Sequence, residues 1–169
     1  MLAAFCTSGT NEFDYAIHAV EALSEIAGAK AKSAKFVGRT KNAENQTCEA
    51  FTIEFENGVV GTYYSVLGRY NPFHITIVTT TQTVSFQIAT GRIMRALMVK
   101  VGHELTEGGA MVDMETLLNC TEIMLCCKKS RDELNGAPVT IDMLSDDDKF
   151  DGYAFEADYG AKAKVSYKD

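Results

Sequence analysis

The sequence has no apolar run approaching the roughly 20 residues that span a bilayer, so no transmembrane helix is expected. It does not open on a charged stretch before an apolar core, as a secretory leader does. Basic clusters are missing too: 16 Lys and Arg lie scattered against 23 Asp and Glu, for a net charge of −7. That balance argues against a nucleic-acid groove. No Cys-x-x-Cys pair occurs and the cysteine count, five, is odd, which speaks against both a disulfide framework and a zinc site. Three further absences narrow the chemistry. There is no Gly-x-Gly-x-x-Gly for a dinucleotide, no Gly-Lys-Ser/Thr loop for a nucleotide phosphate and no Gly-x-Ser-x-Gly to present a serine nucleophile. The expectation is a cytoplasmic globular protein that holds no nicotinamide cofactor by a motif of its own.

What is present fits one domain over residues 1–169, with 145–169 as a C-terminal arm or tail. A chain of this length can bury roughly 70% of its unfolded surface. The stretch SGTNEFDYAIHAVEALSEIAG, residues 8–28, reads as a loop entering an amphipathic helix. Phe13, Ile17, Val20 and Ser24/Ala27 share one face, with Ala16 and Leu23 at its edge. Asp14, His18, Glu21 and Glu25 form a second stripe. Asn11 or Thr10 can cap the start, and Gly28 suits a C-terminus that needs positive φ. Asp14 and His18 are one turn apart, within reach of each other. A carboxylate bonded to an imidazole fixes its tautomer and raises its basicity, as a general acid/base requires. The same pattern also describes an ordinary solvated helix face.

Strands come before and after. Leu2–Cys6 and Ala34–Arg39 read as two. Glu49–Glu56 alternates, with Phe51, Ile53 and Phe55 on one side and Thr52, Glu54 and Glu56 on the other. Asn57-Gly58 predicts a two-residue type I′ hairpin to Val59–Leu67, pairing Phe51 with Tyr64 and Ile53 with Thr62. Tyr63, Ser65 and Leu67 then fall on the outer face, which could meet a second subunit. Phe73–Thr80 and Thr83–Ile88 follow as strands. Helices are expected over Ile93–Leu105, with Met94, Leu97, Met98, Val101 and Leu105 on one stripe, and over Asp113–Leu134, largely buried and stopped by Asn135-Gly136. Val139–Met143 reads as a last short strand. Cys120, Cys126 and Cys127 act as small hydrophobes of the second of these helices. His74 and the pair His103/Glu107 read as surface groups. The fold class is therefore α+β, an open and mainly antiparallel sheet with helices on one face.

These motifs, in this order, resemble the C-terminal domain of Gfo/Idh/MocA-type oxidoreductases. Ser8-Gly9 followed by Asp14-x-x-x-His18, Ala22-Leu23 and Gly28 is similar to the loop and Asp-x-x-x-His helix that open that domain. FTIEFENGVVGTYYSV resembles its strand pair, and HELTEGGAMVDMETLLNCTEIMLCCKKSRDELNGAPVTI its late helix pair. The likeness runs from about residue 5 to 144. It implies a substrate-binding and oligomerisation domain of an NAD- or NADP-dependent dehydrogenase acting on a sugar, polyol or related hydroxy compound. His18 would take the substrate hydroxyl proton, and Asp14 would orient His18 or contact the substrate. The cofactor would sit mainly on an N-terminal Rossmann domain, which also carries the family's Glu-Lys-Pro lysine; neither is in this sequence. Met1 stands open as a true start, an internal methionine or the first residue of a shortened chain. Alone, the domain is expected not to transfer hydride. The rival reading is a free-standing, non-enzymatic β-sheet module that dimerises or binds a ligand through its exposed face.

Overall fold

The computed structural model describes residues 1–9, 12–109 and 112–166. Seven strands form one sheet in the order β6-β5-β1-β4-β3-β2-β7. They are β1 Ala3–Gly9, β2 Ala31–Lys41, β3 Thr47–Phe55, β4 Val60–Val66, β5 His74–Val78, β6 Thr83–Gln87 and β7 Val139–Thr140. Only β1 and β4 run parallel; every other pairing is antiparallel. Helix α1 spans Ile17–Ala27, α2 Thr90–Glu107, α3 Met114–Asp132 and α4 Gly152–Ser166. α1 packs on β1 and β4, α3 on β2, and the two helices touch each other. This is the expected α+β architecture with one helix-covered face.

The core lies between that face and the two helices. Ala4, Cys6, Phe51, Ile53, Phe55, Tyr63 and Ile75 of the sheet meet Ala19, Val20 and Leu23 of α1 and Ile123, Met124 and Cys127 of α3. The buried stripe of α1 is centred on Ala16, Ala19, Val20, Leu23 and Ala27, while Phe13 and Ile17 are only half-buried. Leu23, expected at the edge, is thus central. It can approach because β4 offers Gly61 beneath it: an added Cβ there would lie 3.1 Å from the Phe55 ring and 3.4 Å from Leu23.

The β3–β4 register differs from the expectation by one residue. Phe51 pairs with Tyr63 and Ile53 with Gly61. Asn57 does not take positive φ; Gly58 does, at +80°. The Gly58 N–H donates to Phe55 O, and Phe55 N–H to Val59 O, so the loop holds three residues and ends in a glycine bulge. The shift turns Tyr63 and Ser65 inward, where Tyr63 stacks on Phe51 at 4.9 Å, and leaves Thr62 and Tyr64 on the open face.

The remaining elements follow the sequence pattern with two differences. Asp113 caps α3 by accepting from Thr116 N–H at 2.8 Å. Gly28 ends α1 at φ 63°, whereas the N-terminal cap expected at Asn11 or Thr10 lies outside the described residues. After β7 the chain makes a 3-10 turn, Ile141–Met143, rather than extending the strand. The terminal segment forms α4, preceded by Phe150 stacked on Phe13 at 3.9 Å. No helix among the described residues is long and apolar enough to cross a membrane.

Candidate functional site

The loop and helix that follow β1 carry the candidate acid/base pair. Ser8 and Gly9 are buried at the end of β1. Gly9 is required there, since an added Cβ would fall inside the envelope of Arg69 O and Asn71 N. The chain enters α1 through one π turn, Glu12–Ala16, rather than through a regular α-helical start. A π turn is wider than an α turn, so Asp14 and His18 do not keep the azimuth that α-helical spacing assigns them. Such turns recur at functional sites.

Asp14 is half-buried on this turn, and His18 is exposed on the first turn of α1. His18 Nδ1 pairs with Glu21 Oε2 at 2.8 Å. Both residues lie within regular helix, where a spacing of three makes neighbours. With Nδ1–H donated to Glu21, the basic lone pair of the neutral ring is on Nε2. The ring stands 6.0 Å from Phe73 and 6.2 Å from Tyr15, edge-on to both. Glu21 is on the stripe that sequence spacing identifies, although that reading assigned the orienting role to Asp14.

The hydrogen bond that His18 donates to Glu21 raises the His18 pKa above its ordinary 6.5; partial burial opposes it, and the Glu21 charge adds to the rise. A raised folded-state pKa contributes stability fully present below pH 6.5 and lost as pH climbs through the higher folded value. Glu21→Gln is therefore expected to bring the His18 midpoint back toward 6.5 in an NMR titration. An unchanged midpoint would remove Glu21 as its cause.

The edge strand of the sheet is uncovered on its inner face. Phe86 and Val84 of β6 oppose Ile75 and Ile77, on the face that α1 and α3 cover elsewhere, yet they are 43% and 41% exposed. A separate open cleft of about 710 Å3 lies where β4 ends, lined by Phe13, Arg39, Glu49, Leu67, Arg131 and Phe150 among others; neither Asp14 nor His18 lines it. Its floor is a charge cluster that the sequence reading missed. Glu49, with no exposed surface, accepts from Arg39 Nε at 2.8 Å and from Arg131 Nη1 at 3.1 Å. Arg39 Nη2 also donates to Glu49. Strand parity held the signal: Glu49 is in phase with Phe51, Ile53 and Phe55, so it had to turn inward and find cations.

The other candidates behave as structural or surface groups. Burial pushes the thiols of Cys126 and Cys127 up to about 12 and that of Cys6 to about 11, far from thiolate chemistry. His103 pairs with Glu107 at 3.2 Å on an exposed face. Among the described residues no group of three His, Cys, Asp or Glu is placed to hold a metal ion.

Comparison with solved structures decides the architecture. The myo-inositol dehydrogenase of Lactobacillus casei, solved with NAD(H) and myo-inositol, superposes with a TM-score of 0.65 at 12% identity. The fold is that of the C-terminal domain of Gfo/Idh/MocA-type dehydrogenases. That match covers 85% of this chain and 55% of the other. The scyllo-inositol dehydrogenase of the same organism, solved with NAD(H) and scyllo-inositol, gives 0.63 at 13% identity, over 83% and 56%. The myo-inositol 2-dehydrogenase of Lactobacillus plantarum gives 0.64 at 10%, over 83% and 56%. The chain thus spans little more than half the length of these dehydrogenases. No family model matches the sequence, and no curated protein matches it.

Proposed function

We propose that this chain is the substrate-side and oligomerisation domain of an NAD- or NADP-dependent dehydrogenase acting on a polyol, sugar or related hydroxy compound in the cytoplasm. The observation that carries the reading is His18, exposed on the helix that follows β1 and paired through Nδ1 with Glu21, in a fold shared with dehydrogenases. The chain has no dinucleotide fingerprint, so the cofactor belongs mainly to a separate Rossmann domain, where it would accept the hydride. The task of this chain is the proton. His18 Nε2 takes it from the substrate hydroxyl, and the Glu21 carboxylate stabilises the imidazolium that forms. Asp14, half-buried one turn earlier, contacts the substrate or orients the ring. The exposed Val84 and Phe86 fit the margin against the missing domain, and the open sheet face, with Phe5 and Tyr64 in edge contact at 6.3 Å, fits a subunit interface.

Reading the gene upstream of Met1 separates this from the non-enzymatic sheet module. An in-frame segment of roughly 100–150 residues, the size of a domain, that carries Gly-x-Gly-x-x-Gly supports the dehydrogenase. A start codon with no such frame anywhere beside it supports the module.

A further inference from the structure

The open cleft of about 710 Å3 at the end of β4 stands apart from the His18 pair, since neither Asp14 nor His18 lines it. Its volume falls within the roughly 300–1,000 Å3 of small-molecule sites, and it has their lining, an apolar wall with a few convergent polar groups. Phe13, Phe150 and Phe155 form the wall. Phe13 stacks on Phe150 at 3.9 Å, and Phe150 is tilted against Phe155 at 5.4 Å. Leu67, just past β4, adds an aliphatic patch. Phe150 is nonetheless exposed, so the wall is left open to water.

The charge of the cleft is opposite in sign to that of the protein. Among the described residues Arg39, Lys128, Arg131 and Lys149 line it, against the carboxylates of Glu49, Asp132 and Asp151. The chain as a whole carries −7. Glu49 accepts from both arginines, and Asp132 is shared by Arg131 and Lys128. Three cations thus meet two carboxylates on the floor. Arg39 keeps donors in reserve. It gives Nε–H and an Nη2 N–H to one oxygen, Glu49 Oε1, and its Nη1 has no partner among the described residues. Its side chain is half exposed. An open guanidinium edge fits the paired oxygens of a carboxylate or phosphate. Buried Glu49 also fixes the Arg39 plane beforehand, which lowers the ordering cost of binding.

We propose that this cleft binds a small organic anion, a carboxylate or a phosphate ester. Its charged group rests on the Nη1 edge of Arg39, and its apolar body lies against Phe13, Leu67 and Phe155. Lys128 and Lys149 add attraction from the rim. The site does not depend on the dehydrogenase reading.

NMR titration of the full chain with benzoate, phenyl phosphate and neutral benzyl alcohol tests it. The Arg39 Nε–H and the backbone amides of Leu67 and Phe155 are the reporters. At least one anion is expected to saturate about tenfold or more tighter than the alcohol, and the tighter anion names the headgroup. Arg39→Gln is expected to bring both anions to within about threefold of the alcohol. Because Arg39 also serves Glu49, circular dichroism checks that this variant folds. Lys149→Gln, at an exposed residue that makes none of the Glu49 bonds, is a second variant. It is expected to weaken the anions by about threefold and to leave the alcohol unchanged. The proposal is overturned if neither anion saturates, if the alcohol binds as tightly as the anions, or if both variants bind the anions as the original chain does.

Discussion

The proposed dehydrogenase role predicts that His18→Gln, made in a chain joining this domain to a dinucleotide-binding domain, lowers kcat by about 10²–10⁴-fold and leaves KM nearly unchanged. The side chain is 54% exposed, so the exchange removes little packing beyond its edge contacts with Tyr15 and Phe73, and glutamine keeps a hydrogen-bonding group in similar space. What disappears is a base whose protonation can follow the reaction. The pH profile carries the second half of this expectation. The raised His18 pKa places the acid limb of kcat/KM above the midpoint of a free imidazole. Glu21→Gln moves that limb to lower pH, and His18→Gln abolishes it. Steady-state oxidation of a polyol across pH reads both effects. A loss confined to KM would make His18 a binding group and not the proton acceptor.

Glu49→Ala is expected to cost about 3 kcal/mol of folding stability. The carboxylate lies fully inside, pulled there by the parity of β3, and ties Arg39 of β2 and Arg131 of α3 to one point. Its removal leaves cationic groups facing an emptied interior position. The cost is tempered because Arg39 is half in solvent and Arg131 also donates to Asp132 at 2.6 Å. Glu49→Gln preserves shape and an acceptor, and its loss is expected to be about half as large, since charge-assisted hydrogen bonds are roughly twice as strong as neutral ones. Urea unfolding of the two variants measures this. A loss below about 1 kcal/mol for Glu49→Ala would mean that the cluster is a surface pair in effect.

Periodicity made most of this fold legible. Alternation located β3 and β4, Asp113 and Gly28 marked helix ends, and the order of motifs pointed to the architecture that the solved dehydrogenases share. What it did not show has local causes. Asn57-Gly58 is compatible with two loop lengths, and only the φ of Asn57 separates them; the one-residue difference decides that Tyr63 is core and Tyr64 surface. A π turn leaves no distinct sequence mark, so helical spacing did not single out Glu21 as the partner of His18 Nδ1. The segment that becomes α4 lacks a continuous apolar stripe to announce a helix.

The central claim is that this chain presents a polyol-facing base at His18. Histidine-resolved NMR of the chain, titrated with myo-inositol, tests it most directly, because the three imidazoles lie far apart in sequence and serve as internal controls. The account predicts a saturable shift of the His18 ring, while His103 stays fixed and Glu21→Gln alters the response. A His18 signal that does not move at high polyol concentration, or a shift shared equally by all three histidines, would contradict it.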